Sequence, residues 1–114
     1  LEEIYDSVCT IIERHAIDCM AVEELFFNRN VTTAIDVCQA RGVILLAAKK
    51  HGVDIYEYTP LQIKQSVVGY GRAEKKQIIY MTQLLLRLPE PAKPDDTADA
   101  LAVAICHGNS MRGI

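Results

Sequence analysis

Two short apolar runs with one long helical pattern between them constrain this chain more than any other feature. Cys19-Met20-Ala21-Val22 runs into Glu23-Glu24-Leu25-Phe26-Phe27 and reads as a buried strand whose C-terminal end carries acid. Thr33 to His51 is the longest stretch with helical period, and Gly52 follows as a helix-ending glycine. Ile55-Tyr56-Glu57-Tyr58 then alternates as a second strand does. A strand, a crossover helix and another strand, in that order, form a βαβ unit, which is expected to be parallel and right-handed. The class is therefore α/β. Two strands are too few for a stable open sheet, so further strands are expected in a complete version, ahead of Leu1.

The flanks read as helices. Leu1 to His15 sets Leu1, Ile4, Tyr5, Val8, Ile11 and Ile12 on one stripe, with Glu2, Glu3, Asp6, Glu13 and Arg14 outside it. Within the long helix, Val43 to Ala48 is apolar all round, which predicts burial on more than one side, by the sheet and by a second subunit. Gly42 inside it costs about 1 kcal/mol relative to Ala, and close helix packing would account for it. Asn28-Arg29-Asn30 is a polar turn. Thr59-Pro60 offers a cap and a first helical residue for a short helix from Leu61 to Val67. Gly69-Tyr70-Gly71-Arg72 is a loop with two hinges. Ala73 to Leu88 is helical again, with Ile78, Ile79, Met81, Leu84, Leu85 and Leu88 expected inward. Pro89, Pro91 and Pro94 exclude regular structure until Asp95. The last helix, from Asp95 or Asp96 as its cap, is expected to stop at Gly108, with Ser110 to Ile114 frayed.

With 114 residues, 50% hydrophobic and 24% charged, the chain reads as a single globular domain over 1–114. No apolar run is long enough to span a membrane as a helix, and no signal-peptide pattern opens the sequence. A formal net charge of −3 argues against a surface that is basic throughout. Cys9, Cys19, Cys38 and Cys106 contain no CxxC pair and read as reduced core residues of an intracellular protein.

Chemistry concentrates in the acids. Asp96 and Asp99 stand at i and i+3, so both carboxylates leave one face of the first helical turn, where the helix N-terminus favours negative charge. On these residues alone two readings stay open: an acidic turn that only caps a buried helix, or a site for a hard cation such as Mg²⁺. Glu23 ends the first strand, where open parallel sheets place their ligands, and alternation turns Glu24 to the other side. Glu23, Asp96 and Asp99 together are three acids from two separated segments, the layout that two-metal phosphodiester cleavage needs. Lys64, Arg72, Lys75 and Lys76 cluster about the glycine loop, with Arg29 at the other end, and read as a phosphate-binding edge. Phe26 or Phe27 is expected to face a substrate. His15, His51 and His107 match no motif and read as structural or surface residues.

Five blocks occur in order: Ala21-Val22-Glu23-Glu24-Leu25-Phe26, Gln39-Ala40-Arg41-Gly42-Val43, Ile63 to Gly71, Ala73-Glu74-Lys75, and Ala98-Asp99-Ala100-Leu101-Ala102-Val103-Ala104. Together they resemble the RuvC family of Holliday junction resolvases, which has the ribonuclease H-like fold. The resemblance implies a structure-selective, Mg²⁺-dependent endonuclease of recombination and repair, with two Mg²⁺ ions in the complete site. It implies Glu23, Asp96 and Asp99 as catalytic metal ligands, and Lys64 and Lys75 as junction-binding or catalytic lysines. It implies Phe26 as an aromatic that engages bases. It further implies a homodimer through the Thr33–His51 helix, a four-way DNA junction and branch-migration motors as partners, no membrane association, and a bacterial cytoplasmic location. The family opens with a strand bearing a Gly-Ile-Asp-Pro-Gly-like motif, which this sequence does not contain. The expectation is thus a fragment: a two-strand parallel remnant with flanking helices, lacking the first acid and itself inactive. Another ribonuclease H-like nuclease, or a non-catalytic junction-binding module, is the alternative.

Overall fold

A computed structural model describes residues 1–24 and 31–112, with side chains described at 1–24 and 33–112. The elements are α1 (Glu2–His15), β1 (Cys19–Glu23), α2 (Val31–Lys50), β2 (Asp54–Tyr58), α3 (Pro60–Val67), α4 (Lys75–Leu86) and α5 (Asp95–Met111). β1 and β2 pair with each other. Asp54 N–H donates to Asp18 O at 3.4 Å, and Glu24 N–H donates to Tyr58 O at 2.8 Å. Residue numbers rise together along both strands, so the pairing is parallel, as a βαβ crossover requires. The chain divides into two compact units, with both strands starting in the first and ending in the second.

In the first unit α1 packs on α2. Ile12, Ala48 and Val53 are buried together, and Val8, Ile17, Met20 and Ile55 pack against them. Ala47 and Ala48 are fully covered because a methyl side chain lets another backbone approach. Ala16 ends α1 in the left-handed region at φ 50, and Gly52 follows α2 at φ +69. The covered stripe is narrower than the sequence predicts: Leu1, Ile4 and Ile11 are exposed, because only the line through Val8 and Ile12 meets the core. In the apolar run of α2, Ala47 and Ala48 are buried and Val43, Ile44 and Leu45 half-buried, while Leu46 is exposed. Ile35 and Val37 are exposed as well. Gly42 is exposed too, and a Cβ there would meet nothing within 4 Å among the described residues, so their packing does not explain it. β1 is half-buried rather than buried.

In the second unit α3 and α4 both pack on α5 and touch each other. Ala98, Ala102 and Cys106 recur every fourth residue, so α5 presents a buried stripe of small residues to its neighbours. Ile63 and Val67 of α3 and Ile78 and Thr82 of α4 are the buried counterparts. Thr82 is completely covered and its hydroxyl donates to Ile79 O at 3.0 Å. Thr59 caps α3 as expected: Gln62 N–H donates to its Oγ1 at 3.1 Å, and Thr59 N–H donates to Gln62 Oε1 at 2.8 Å.

Several expectations give way in this unit. Leu84 and Leu85 are exposed, because α4 covers its Ile78–Thr82 line and the helix turns these leucines away. Gly108 does not stop α5, which runs to Met111. Neither Asp95 nor Asp96 caps α5: Pro94 is the N-cap residue, and its carbonyl accepts from Thr97 N–H at 2.9 Å. Of the cysteines only Cys106 is buried; Cys9 is half-buried, and Cys19 and Cys38 are exposed, since each lies off the packed face of its element.

Candidate metal and phosphate site

The second unit brings Glu23 and Asp99 to one small cavity of about 60 Å³. Glu23 arrives as the last residue of β1, and Asp99 from the first turns of α5, one position after fully buried Ala98. Pro60, Ile63, Ile78 and Ala102 give the cavity apolar walls, and Lys64 joins the two acids as its polar lining. One water needs roughly 10–15 Å³, so a cation with a few waters fits. Glu24, with its N–H held by Tyr58 O, does not line this space, as alternation along the strand predicts.

The electrostatics are those of crowded acids. The Glu23 carboxyl is pushed above its ordinary range, first by burial and then by the Asp99 charge, while Lys64 and Lys75 pull it back. Lys75 opens α4 and donates from Nζ to Asp99 Oδ2 at 2.6 Å. That hydrogen bond is the main reason the Lys75 pKa is raised; desolvation opposes it, and the charges of Asp99, Asp95 and Asp96 add to it. Each acid of the pair thus has a lysine close by.

Asp96 stands apart from this pair. It is exposed and does not line the cavity, and its charge is felt by Lys75 instead. Among the described residues no group of three or more His, Cys, Asp or Glu side chains is arranged to hold a metal ion. The three predicted ligands therefore resolve into a pair, Glu23 and Asp99, with a lysine on one member and Asp96 outside. The donor chemistry of the pair still suits Mg²⁺, which prefers one or two carboxylates and keeps several waters.

The basic edge is partly assembled. Lys64 lines the cavity and Lys75 holds Asp99, whereas Arg72 is exposed and Lys76 lies out in solvent with its Nζ 4.0 Å from Glu74 Oε2. The glycine loop is shaped by its backbone. Gly69 sits at φ +111, where a side chain is strained, and a Cβ on Gly71 would run into Leu61 Cδ1. Tyr70 Oη accepts a hydrogen bond from Gln77 Nε2, tying the loop to α4, and nothing in the sequence pattern announced it. Phe26 and Arg29 lie outside the described residues. His51 and His107 are structural as expected: His107 Nδ1 and Tyr58 Oη share a 2.6 Å hydrogen bond, and His51 bonds Ala47 O and Glu13.

The parallel βαβ core, with one acid at a strand end and another near a helix start, agrees with the ribonuclease H-like class that the sequence resembles. The profile of the family described as Crossover junction endodeoxyribonuclease RuvC matches residues 1–107, and the chain belongs to this family. Crossover junction endodeoxyribonuclease RuvC of Brevibacillus brevis is 61% identical over 107 residues, covering 94% of this chain and 64% of the relative. The protein of the same name from Ruminiclostridium cellulolyticum is 59% identical over 109 residues, 96% of this chain and 66% of its own length. Among solved structures, T. thermophilus RuvC in complex with Holliday junction substrate superposes with a TM-score of 0.92 at 38% identity, over 98% of this chain and 68% of that one. The Thermus thermophilus RuvC structure gives 0.88 at 37% identity, with the same coverage. The chain thus spans about two thirds of the length of the proteins it matches.

Proposed function

We propose that this chain is the greater part, 1–114, of a ribonuclease H-like domain that cuts four-way DNA junctions by phosphodiester hydrolysis in the bacterial cytoplasm. The observation that carries the reading is the shared cavity of Glu23, Asp99 and Lys64, with Lys75 on Asp99. Glu23 and Asp99 would hold Mg²⁺, and Asp96, a third ligand on the family resemblance alone, lies outside the cavity at the start of α5. Bound there, divalent cations would supply positive charge to polarise a phosphoryl oxygen and ease formation of the attacking hydroxide. The chain's own residues do the rest. Lys64 and Lys75 offer point charges to phosphate oxygens, the apolar walls limit water, and Arg72 and Lys76 extend the basic edge along a strand. Phe26 is assigned to an unpaired base on the family resemblance alone, as is engagement of branch-migration motors.

A homodimer through α2 belongs to the same proposal. Ile35, Cys38, Gly42 and Leu46 fall on one side of that helix and are all exposed. A mid-helix glycine with open space above it suits close approach of a second helix. A two-fold pair would offer two sites to a four-way junction.

The test is cleavage of a synthetic four-way junction in Mg²⁺, with Glu23→Gln and Asp99→Asn made in this chain and at the matching positions of a full-length relative. In the relative, each variant is expected to lose roughly a hundredfold or more in cleavage, as loss of metal support does, while still binding the junction. Cleavage at the unsubstituted rate by either variant contradicts the reading.

A further inference from the structure

The Lys75–Asp99 bond has a consequence that reaches past cation binding itself. The inference rests on the proposed site. Its starting point is that Nζ of Lys75 lies 2.6 Å from Oδ2 of Asp99, an acid that lines the cavity with Glu23. Both side chains keep between a third and a half of their surface in solvent, 49% and 39%, so the pair contributes little to stability. It does neutralise one of two acids that repel each other. An ammonium and a dication on the same carboxylate oxygen would repel in turn, more strongly than two unit charges.

We propose that Lys75 holds the cation's place on Asp99 in the free protein, and that a divalent cation reaches Asp99 as Lys75 departs to a phosphate oxygen. Lys75 is suited to this exchange. It is the first residue of α4, next to the glycine loop, and its flexible four-carbon stem carries a compact charge that pairs with carboxylate or phosphate alike. The neighbour Lys76 has no such place; among the described residues it reaches toward Glu74. Lys75 is then a positioning residue that links cation entry to the arrival of a polyanion. The free protein holds its cation weakly, and the nucleic-acid complex holds it more tightly.

The experiment titrates Mg²⁺ alone into the purified protein and follows the side-chain NMR signals of Lys75 and the carboxyl signal of Asp99, with Mg²⁺ affinity from calorimetry. In the unsubstituted protein the Lys75 signals are expected to move from a paired to a free position in step with Asp99. Lys75→Met is expected to bind Mg²⁺ about two- to fivefold more tightly, the range a half-exposed ion pair covers. Lys75→Arg, which keeps the pair, should match the unsubstituted protein in Mg²⁺ affinity, and so should Lys49→Met, which removes a charge from the last turn of α2. Asp99 saturating while the Lys75 signals stay still overturns the proposal. So does equal affinity in the parent and Lys75→Met, whether measurable or absent in both. A second arm adds a four-way junction in Ca²⁺: the junction should raise cation affinity more in the parent than in Lys75→Met, and an equal gain overturns the link to phosphate. Loss of junction binding altogether would sink the proposed function instead, and the Mg²⁺ and lysine signals would still decide this inference.

Discussion

The two units of the chain use apolar residues in opposite ways. In the second, small residues on α5 are covered by α3 and α4, and the polar groups gather at one cavity. In the first, α1 covers one side of α2 while Ile35, Val37 and Leu46 stay exposed. Scattered surface leucines need no explanation, but Ile35, Cys38, Gly42 and Leu46 share one helical face. The proposal separates two jobs: a charged site in one unit and, in the other, an apolar helix face for a second chain.

Substitutions should therefore act on one job without the other. Leu46→Glu puts a charge at the C-terminal end of the open α2 face. It is expected to weaken self-association by about thirtyfold, a change typical of a well-buried interface residue, and to leave Mg²⁺ affinity alone; sedimentation and calorimetry on the same sample check both. A coupled loss of cation binding would show that the two jobs are not separate.

Lys64→Gln acts in the other unit and more gently. One phosphate contact removed should lower the slope of log affinity against log salt by about 0.9, with any self-association unchanged. Junction binding measured across a salt series gives the slope directly. An unaltered slope would remove Lys64 from the basic edge.

The smallest expected effect belongs to the first unit. His51 Nδ1 donates to Ala47 O at 2.9 Å and its Nε2 lies 3.0 Å from Glu13 Oε1. Two acceptors favour the doubly protonated ring, and the His51 pKa is raised from 6.5, first by the Ala47 carbonyl and then by Glu13. A raised folded-state pKa adds stability that is fully present below the unfolded value and is lost as pH rises through the folded one. Melting of the parent and of Glu13→Gln should thus differ near about pH 5.5 and converge as pH climbs past the raised value, since an unperturbed histidine titrates at about 6.5. A difference that grows with pH would contradict the assignment.

What could be read from the sequence follows from how local each feature is. The βαβ order, the Thr59 cap and the separation of Glu23 from Glu24 each depend on periodicity or spacing within a few residues, and all three hold. The Lys75–Asp99 bond joins residues 24 apart in sequence, and its geometry depends on how α4 crosses α5. Burial went astray for a related reason. α4 is apolar around much of its circumference, so its sequence does not say which side a neighbour covers, and Leu84 and Leu85 are exposed. Asp96 shares a helix face with Asp99, yet only the deeper residue reaches the cavity.

Glu23 and Asp99 are proposed to form one cation site. Mg²⁺ binding to the parent, Glu23→Gln and Asp99→Asn, by calorimetry without nucleic acid, tests it most directly. Either single substitution is expected to remove the site, and the double variant to be no worse than either alone, because the two oxygens serve one ion. Parent-like affinity in both single variants, or losses that simply add in the double variant, would mean that the two carboxylates do not act together.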